Sequence, residues 1–153
     1  MPKVLVKTLA TFFYLGYFPL IPGTFASIGG LCLYFMVKDN FYLYLGLTLV
    51  ITLTGFLVTR QAEQIFRQKD SRHIVIDEVS GMLLSLAFLP YDIKVAIGAL
   101  LSFRILDALK PYPIGRIHNL KGGLGVMGDD ILAALYTNII LQLVLRLASF
   151  KTS

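Results

Sequence analysis

Charge is scarce in this chain: only 15% of its 153 residues are Asp, Glu, Lys or Arg, against roughly a quarter in an average soluble protein. With an apolar share of 56% and a mean hydropathy of +0.74, water is excluded as its main solvent. Cysteine is nearly absent. Cys32 stands alone in an apolar run, which excludes disulfides and cysteine metal sites and assigns the side chain to packing. No cleavable leader is expected either: Lys3 and Lys7 precede an apolar block from Phe12 to Phe18, but Pro19, Pro22 and Gly23 interrupt it and more apolar segments follow. The N-terminus is therefore expected to be retained. The net charge of +5 would suggest nucleic acid in a soluble protein; in a lipid-embedded one it reflects basic loops meeting anionic headgroups.

What is present reads as a single all-α domain over residues 1–153, a polytopic membrane bundle of about five short spanning or half-buried helices behind an N-terminal interfacial segment. Tyr17 to Gly23 breaks that first segment with prolines. Helices are then predicted from Thr24 to Val37, Phe41 to Thr59, Ile74 to Leu89, Ile93 to Ala108, and Asp129 to about Ala148. The polar stretch Arg60 to Arg72 reads as a loop, and Lys110-Pro111-Tyr112-Pro113 stops the fourth helix. Gly122 to Gly128 reads as a glycine-rich loop. Three of the segments fall short of the roughly 20 residues of a full span.

With the N-terminus placed in the cytoplasm, Lys3, Lys7, Arg60, Arg67, Lys69, Arg72, Lys110, Arg116 and Lys121 lie inside, and Lys38, Lys94, Arg146 and Lys151 at the other face, the bias of the positive-inside rule. The same threading puts Thr24, Asp77, Glu78, Asp107, Asp129 and Asp130 at the cytoplasmic helix ends. Carboxylates gathered so closely repel unless a cation or proton shields them, and hard oxygen ligands suit magnesium, calcium or manganese. Magnesium completes its shell with substrate phosphate, so a phosphate ester is the natural ligand. Lys110, Arg104, Arg116 and Lys121 stand beside the acids as phosphate donors, and the glycine loop and the helix start at Thr24 offer backbone N–H groups.

Each acid also has a structural reading. Asp129 and Asp130 suit a helix start, and Asp107 is spaced for ion pairs with Arg104 and Lys110. Asp77 and Glu78 point about 100 degrees apart on a helix, so one neutralising partner does not serve both. His73 is set outside the site, and nothing in the spacing of His118 marks it as a phosphate donor. Gly123 to Gly128 matches G-x-G-x-x-G, but no strand precedes it and two aspartates occupy the position of a pyrophosphate, so a dinucleotide is refused. A cation-coupled transporter is the rival reading; it wants acids near the midplane and an internal repeat, and the chain shows neither.

Four stretches in order resemble the phosphatidylglycerophosphatase A family: Pro19 to Ser27 with Pro22-Gly23-Thr24; Ile74 to Gly81 with Asp77-Glu78; Phe103 to Pro113 with Arg104, Asp107 and Lys110; and Gly122 to Met127 followed by Asp129-Asp130 and Ala133. Ala26 and Ala134 stand where relatives carry glycine. The resemblance implies a magnesium-dependent, multi-pass enzyme of the bacterial inner membrane. Its expected reaction removes the terminal phosphate of phosphatidylglycerol phosphate, a phospholipid substrate, at a site facing the cytoplasm, in phospholipid biosynthesis. On that reading Asp77, Glu78, Asp129 and Asp130 hold Mg2+, Lys110 and Arg104 bind the phosphate, and Asp107 and Thr24 orient the attacking water or the metal shell.

Overall fold

Asn40 opens the clearest apolar segment by accepting the Leu43 N–H on its side-chain oxygen at 3.0 Å, which supplies a partner for one of a helix's orphan donors. Asp92 does the same for Lys94 and Val95, at 2.6 and 3.3 Å, and Pro22 sits in the first turn of its helix, where its missing N–H costs nothing. In the computed structural model, which describes residues 1–151 with side chains through Ser149, these starts give seven helices and no strand among the described residues. They are α1 (Lys3–Ala10), α2 (Pro22–Val37), α3 (Phe41–Phe66), α4 (Ile76–Ser85), α5 (Ile93–Leu109), α6 (Ile114–His118) and α7 (Gly123–Lys151), with a 3-10 turn at Leu15–Tyr17. The fold is all-α, as expected. Lys151, assigned to the outer face by charge counting, has its side chain outside the described residues.

Three boundaries differ from expectation. α3 does not stop at Thr59 but runs to Phe66, because Arg60 to Glu63 are good helix formers that carry the helix past its apolar part. It ends where Arg67 adopts a left-handed φ of 54°. α7 starts at Gly123, not Asp129, so the supposed flexible glycine loop forms the first two turns of a helix. α4 is only ten residues long.

Of the about five spanning or half-buried helices expected, two among the described residues are long and apolar enough to cross a membrane, α3 and α7. Only 28% and 17% of their most apolar windows are buried inside the protein. Leu49, Val50, Leu53 and Leu57 on α3 and Leu135, Ile139, Leu143 and Leu147 on α7 are exposed, an apolar surface far beyond what water tolerates. The shorter α5 exposes Ile93, Ile97, Leu101, Ile105 and Leu109, one residue per helical turn. Cys32 is exposed on α2, correcting its assignment to interior packing. The protein is membrane-associated.

The centre of the bundle is α4. Ile76, Val79, Met82 and Leu83 are fully or almost fully buried, and the helix packs against α2, α3, α5 and α7. Gly30 of α2 lets the two backbones approach: a Cβ there would lie 2.9 Å from the Val79 carbonyl oxygen. A buried helix C-terminus leaves carbonyls needing donors. Tyr44 of α3 donates its hydroxyl to the Leu83 carbonyl at 2.5 Å, and Asn138 of α7 donates to the carbonyls of Ser85 and Ala87 at 3.0 and 2.7 Å. That end of α4 is thus tied to both long helices.

Candidate metal centre

The opposite end of α4 carries Asp77 and Glu78 in its first turn, where the helix dipole favours negative charge. Asp107 comes from the last turn of α5, and Lys110 ends that helix with a left-handed φ of 44°, the conformation that lets the chain turn into Pro111. Asp129 and Asp130 lie in the second turn of α7, so neither is a helix cap. Asp129 instead accepts the Asp130 N–H on Oδ1 at 3.1 Å.

These acids converge. One oxygen from each of Asp77, Glu78 and Asp130 lies within 4.8 Å of the others, and the same holds for Asp107, Asp129 and Asp130. Asp130 belongs to both groups. Asp77, Asp129 and Asp130 are 5%, 2% and 3% exposed, a burial that ionisable groups bear only when paired or ligating. Yet Asp77 Oδ1, Glu78 Oε2 and Asp130 Oδ2 are buried with no hydrogen-bond partner among the described residues. A set of hard, unpartnered oxygens is the donor set of a divalent cation.

Two cations offset part of the negative charge. Arg104 Nη1 lies 2.8 Å from Asp107 Oδ2 and 3.9 Å from Glu78 Oε1. Lys110 Nζ lies 3.6 Å from Asp107 Oδ1 and donates to Asp129 Oδ2. Burial opposes the charge of Lys110, but its bond to Asp129 and the fields of Asp129, Asp107 and Asp130 outweigh it and raise its pKa. A cavity of about 430 Å³ opens on the group, lined by Asp77, Glu78, Asp107, Lys110, Asp129 and Asp130 together with Asp70 and the stretch Ser71 to Ile74.

Some residues fall elsewhere. Thr24 is half-buried in the first turn of α2, and its hydroxyl makes no hydrogen bond among the described residues. Its neighbour Gly23 marks how closely α2 abuts the acids: a Cβ at Gly23 would lie 2.2 Å from Glu78 Oε1 and 3.1 Å from Arg104 Nη2. Arg116 is apart from the acids, donating to the Tyr112 hydroxyl at 3.3 Å. Lys121 borders a different cleft. His73, by contrast, lines the acidic cavity, where its ring is tied to the Gly16 carbonyl at 2.9 Å and stacks on Tyr17.

Two residues in the group were not expected from sequence. His118, at the end of α6, places Nδ1 2.7 Å from Asp129 Oδ2 and 3.1 Å from Lys110 Nζ. Asp70 lies 3.7 Å from the same ring nitrogen. Burial raises the pKa of Asp70, while His118 and Lys110 pull it the other way. Neither residue carries a spacing signal, since the contacts join a loop, a five-residue helix and α7.

The profile of the family described as Phosphatidylglycerophosphatase A matches residues 8–145. A Bacteroides thetaiotaomicron protein provisionally named phosphatidylinositol-3-phosphatase is 34% identical, over 92% of this chain and 93% of its own. Proteins named Phosphatidylglycerophosphatase A from Escherichia coli and Haemophilus influenzae are 33% and 31% identical, covering 89% and 88% of this chain and 81% and 85% of theirs. No solved structure matches the chain at a significant level. The transporter reading finds no support among these relatives. With the profile spanning nearly the whole chain and all four motif stretches inside it, the protein is a phosphatase and belongs to the phosphatidylglycerophosphatase A family.

Proposed function

We propose that this protein hydrolyses the terminal phosphomonoester of phosphatidylglycerol phosphate, giving phosphatidylglycerol, at a magnesium site at the cytoplasmic face of a bacterial inner membrane that it crosses several times. The observation that carries the metal is the trio of unpartnered buried oxygens on Asp77, Glu78 and Asp130. With Asp129 they would hold the ion, and the sharing of Asp130 between two oxygen groups suits a pair of ions. Bound magnesium supplies Lewis-acid stabilisation of the charge that grows on the phosphoryl oxygens and favours deprotonation of a bound water.

The chain's own residues do the rest. Arg104 and Lys110 lie beside the carboxylates and would bind the non-bridging phosphate oxygens, a role that guanidinium and ammonium groups share. Asp107, held by both cations, would take the proton of the attacking water at Oδ1 and pass it to the glycerol oxygen that departs as the P–O bond breaks. Thr24, next to the crowded Gly23, would orient water at the rim. A second route uses a carboxylate as nucleophile, forming an acyl phosphate that water then cleaves. Hydroxylamine trapping separates the two.

The cytoplasmic orientation draws on charge: Arg60, Arg67, Lys69 and Lys121 border a cleft at the acidic end of the bundle, whereas Lys38 and Lys94 sit at the far ends of α2 and α5. Phosphate release from phosphatidylglycerol phosphate in detergent tests the proposal. Release with magnesium and none with EDTA is expected, and phosphatidylinositol 3-phosphate should be hydrolysed more slowly. Equal release in EDTA, or preference for the inositol lipid, overturns it.

A further inference from the structure

Beside the acidic cavity lies a larger cleft, of about 790 Å³, between the end of α3 and the start of α7. Arg60, Arg67, Lys69 and Lys121 line it, with Gly122 and Gly123 at its floor. Lys69 is occupied, donating to the His118 carbonyl at 3.1 Å. The side chains of Arg60, Arg67 and Lys121 make no hydrogen bond or ion pair among the described residues. The lone acid in the lining, Glu63, accepts the Asp70 N–H at 2.9 Å. Three free cations therefore face one cleft with little to offset them.

Two other features fix what would fit. The cleft receives the N-terminus of α7, a 29-residue helix, whose first N–H groups lack helical partners. Gly122, with φ +67°, makes the turn into it, and the Cβ, Cγ and Cδ of Arg60 would lie within 3.7 Å of any side chain there. Next to the cations, Leu57 on α3 and Leu124 on α7 are 68% and 63% exposed, at the point where the apolar surface of α3 gives way to its polar end. Positive charge, the positive end of a helix dipole and bare leucines in one place match an anionic headgroup with acyl chains attached. Free phosphate has no use for the leucines.

We infer that this cleft binds an anionic phospholipid through its phosphodiester, with the acyl chains running along Leu53 and Leu57 of α3, at a place separate from the carboxylate site. The occupant holds the protein at the headgroup level and is not itself hydrolysed there, since no carboxylate of the acidic group lines the cleft.

The test is binding of dioctanoyl phosphatidylserine, an anionic phosphodiester lipid that is neither substrate nor product of the proposed reaction, to the purified full chain in neutral detergent with EDTA present, so that the carboxylate site takes no metal. R60Q/R67Q/K121Q should weaken binding by roughly fivefold per charge removed, while K94Q at the far end and R104Q at the carboxylates bind as wild type does. All three cleft residues are exposed polar side chains, and circular dichroism confirms the variant's fold. For the wild-type chain alone, rising salt should weaken binding, and dioctanoyl phosphatidylcholine and inorganic phosphate should not compete. Wild-type affinity in the triple variant, loss of affinity in R104Q instead, salt-independent binding, or full competition by inorganic phosphate would each overturn the inference. None of these outcomes depends on phosphatase activity, so they are read independently of the proposed reaction.

Discussion

The two ends of α4 solve opposite problems. At its C-terminal end the buried carbonyls of Leu83 and Ser85 have donors from Tyr44 and Asn138, so what is left unmet near that end is a neutral hydroxyl, that of Tyr34 against the Tyr44 ring, and not a carboxylate. At its N-terminal end Asp77 Oδ1 and Glu78 Oε2 are buried and unmet, facing Asp130 Oδ2 in the same condition. A chain that satisfies one end of a ten-residue helix by reaching across from two others has the means to satisfy the other end. Leaving charged oxygens bare is costly, and such sites are where function is found. The far end holds the bundle; the near end gathers the acids on which the proposed reaction rests.

Breaking the near end should cost chemistry and spare the fold. Asp130→Asn removes the charge of the residue common to both carboxylate groups and should lower phosphatase activity by about a thousandfold, the several kcal/mol of a metal's charge stabilisation. Its melting temperature in EDTA should stay at or above that of the wild type, because a buried like-charge repulsion is relieved. Gly23→Ala comes next. Its methyl would push into Glu78 Oε1, and displacing a ligand's support should cost roughly 10- to 100-fold in activity, seen mainly as a weaker dependence on magnesium.

The far end should show the reverse. Asn138→Leu leaves two carbonyls without donors and should cost about 1–3 kcal/mol of stability, measured as a lower melting temperature, with per-molecule activity near wild type below the transition. The smallest effect belongs to Asp70→Asn. Burial lifts the pKa of Asp70 above its ordinary 3.8, so folding disfavours its charged form. Its contribution to stability is full below 3.8 and is lost as pH rises through the raised value. Relative to wild type, the asparagine variant should therefore gain melting temperature as pH rises above about 4. A shift in the opposite direction would show that His118 dominates the environment of Asp70.

Much of the near end was legible because acids are rare in so apolar a chain. Asp77, Glu78, Asp107, Asp129 and Asp130 stood out against long uncharged runs, and the structure brings all five together. Glycine was misleading. Gly123, Gly125 and Gly128 read as loop, yet they lie in α7 because neighbours press on them: a Cβ at Gly125 would meet the Leu120 carbonyl oxygen at 2.2 Å and one at Gly128 the Ile117 Cγ2 at 2.7 Å. Small residues at helix contacts and glycine in turns look alike in one dimension. Apolar periodicity likewise ended α3 too early, since it reports where lipid stops rather than where hydrogen bonding does. Asp70 and His118 were out of reach because tertiary approach alone joins them to Asp129. The segment expected from Ile74 to Leu89 as a spanning or half-buried helix is the short buried α4, and its cover of α2, α3, α5 and α7 is invisible in a hydropathy window.

The most direct test of the contrast between the two ends is the melting temperature of the purified chain in detergent as magnesium is added, compared between wild type and Asp130→Asn. Binding to the folded state alone raises stability by RT ln(1 + [L]/Kd), about 2.7 kcal/mol at a hundredfold excess over Kd. The account predicts a rising, saturable melting temperature for the wild type and a flat one for the variant. Parallel rises in both, or none in either, would contradict it.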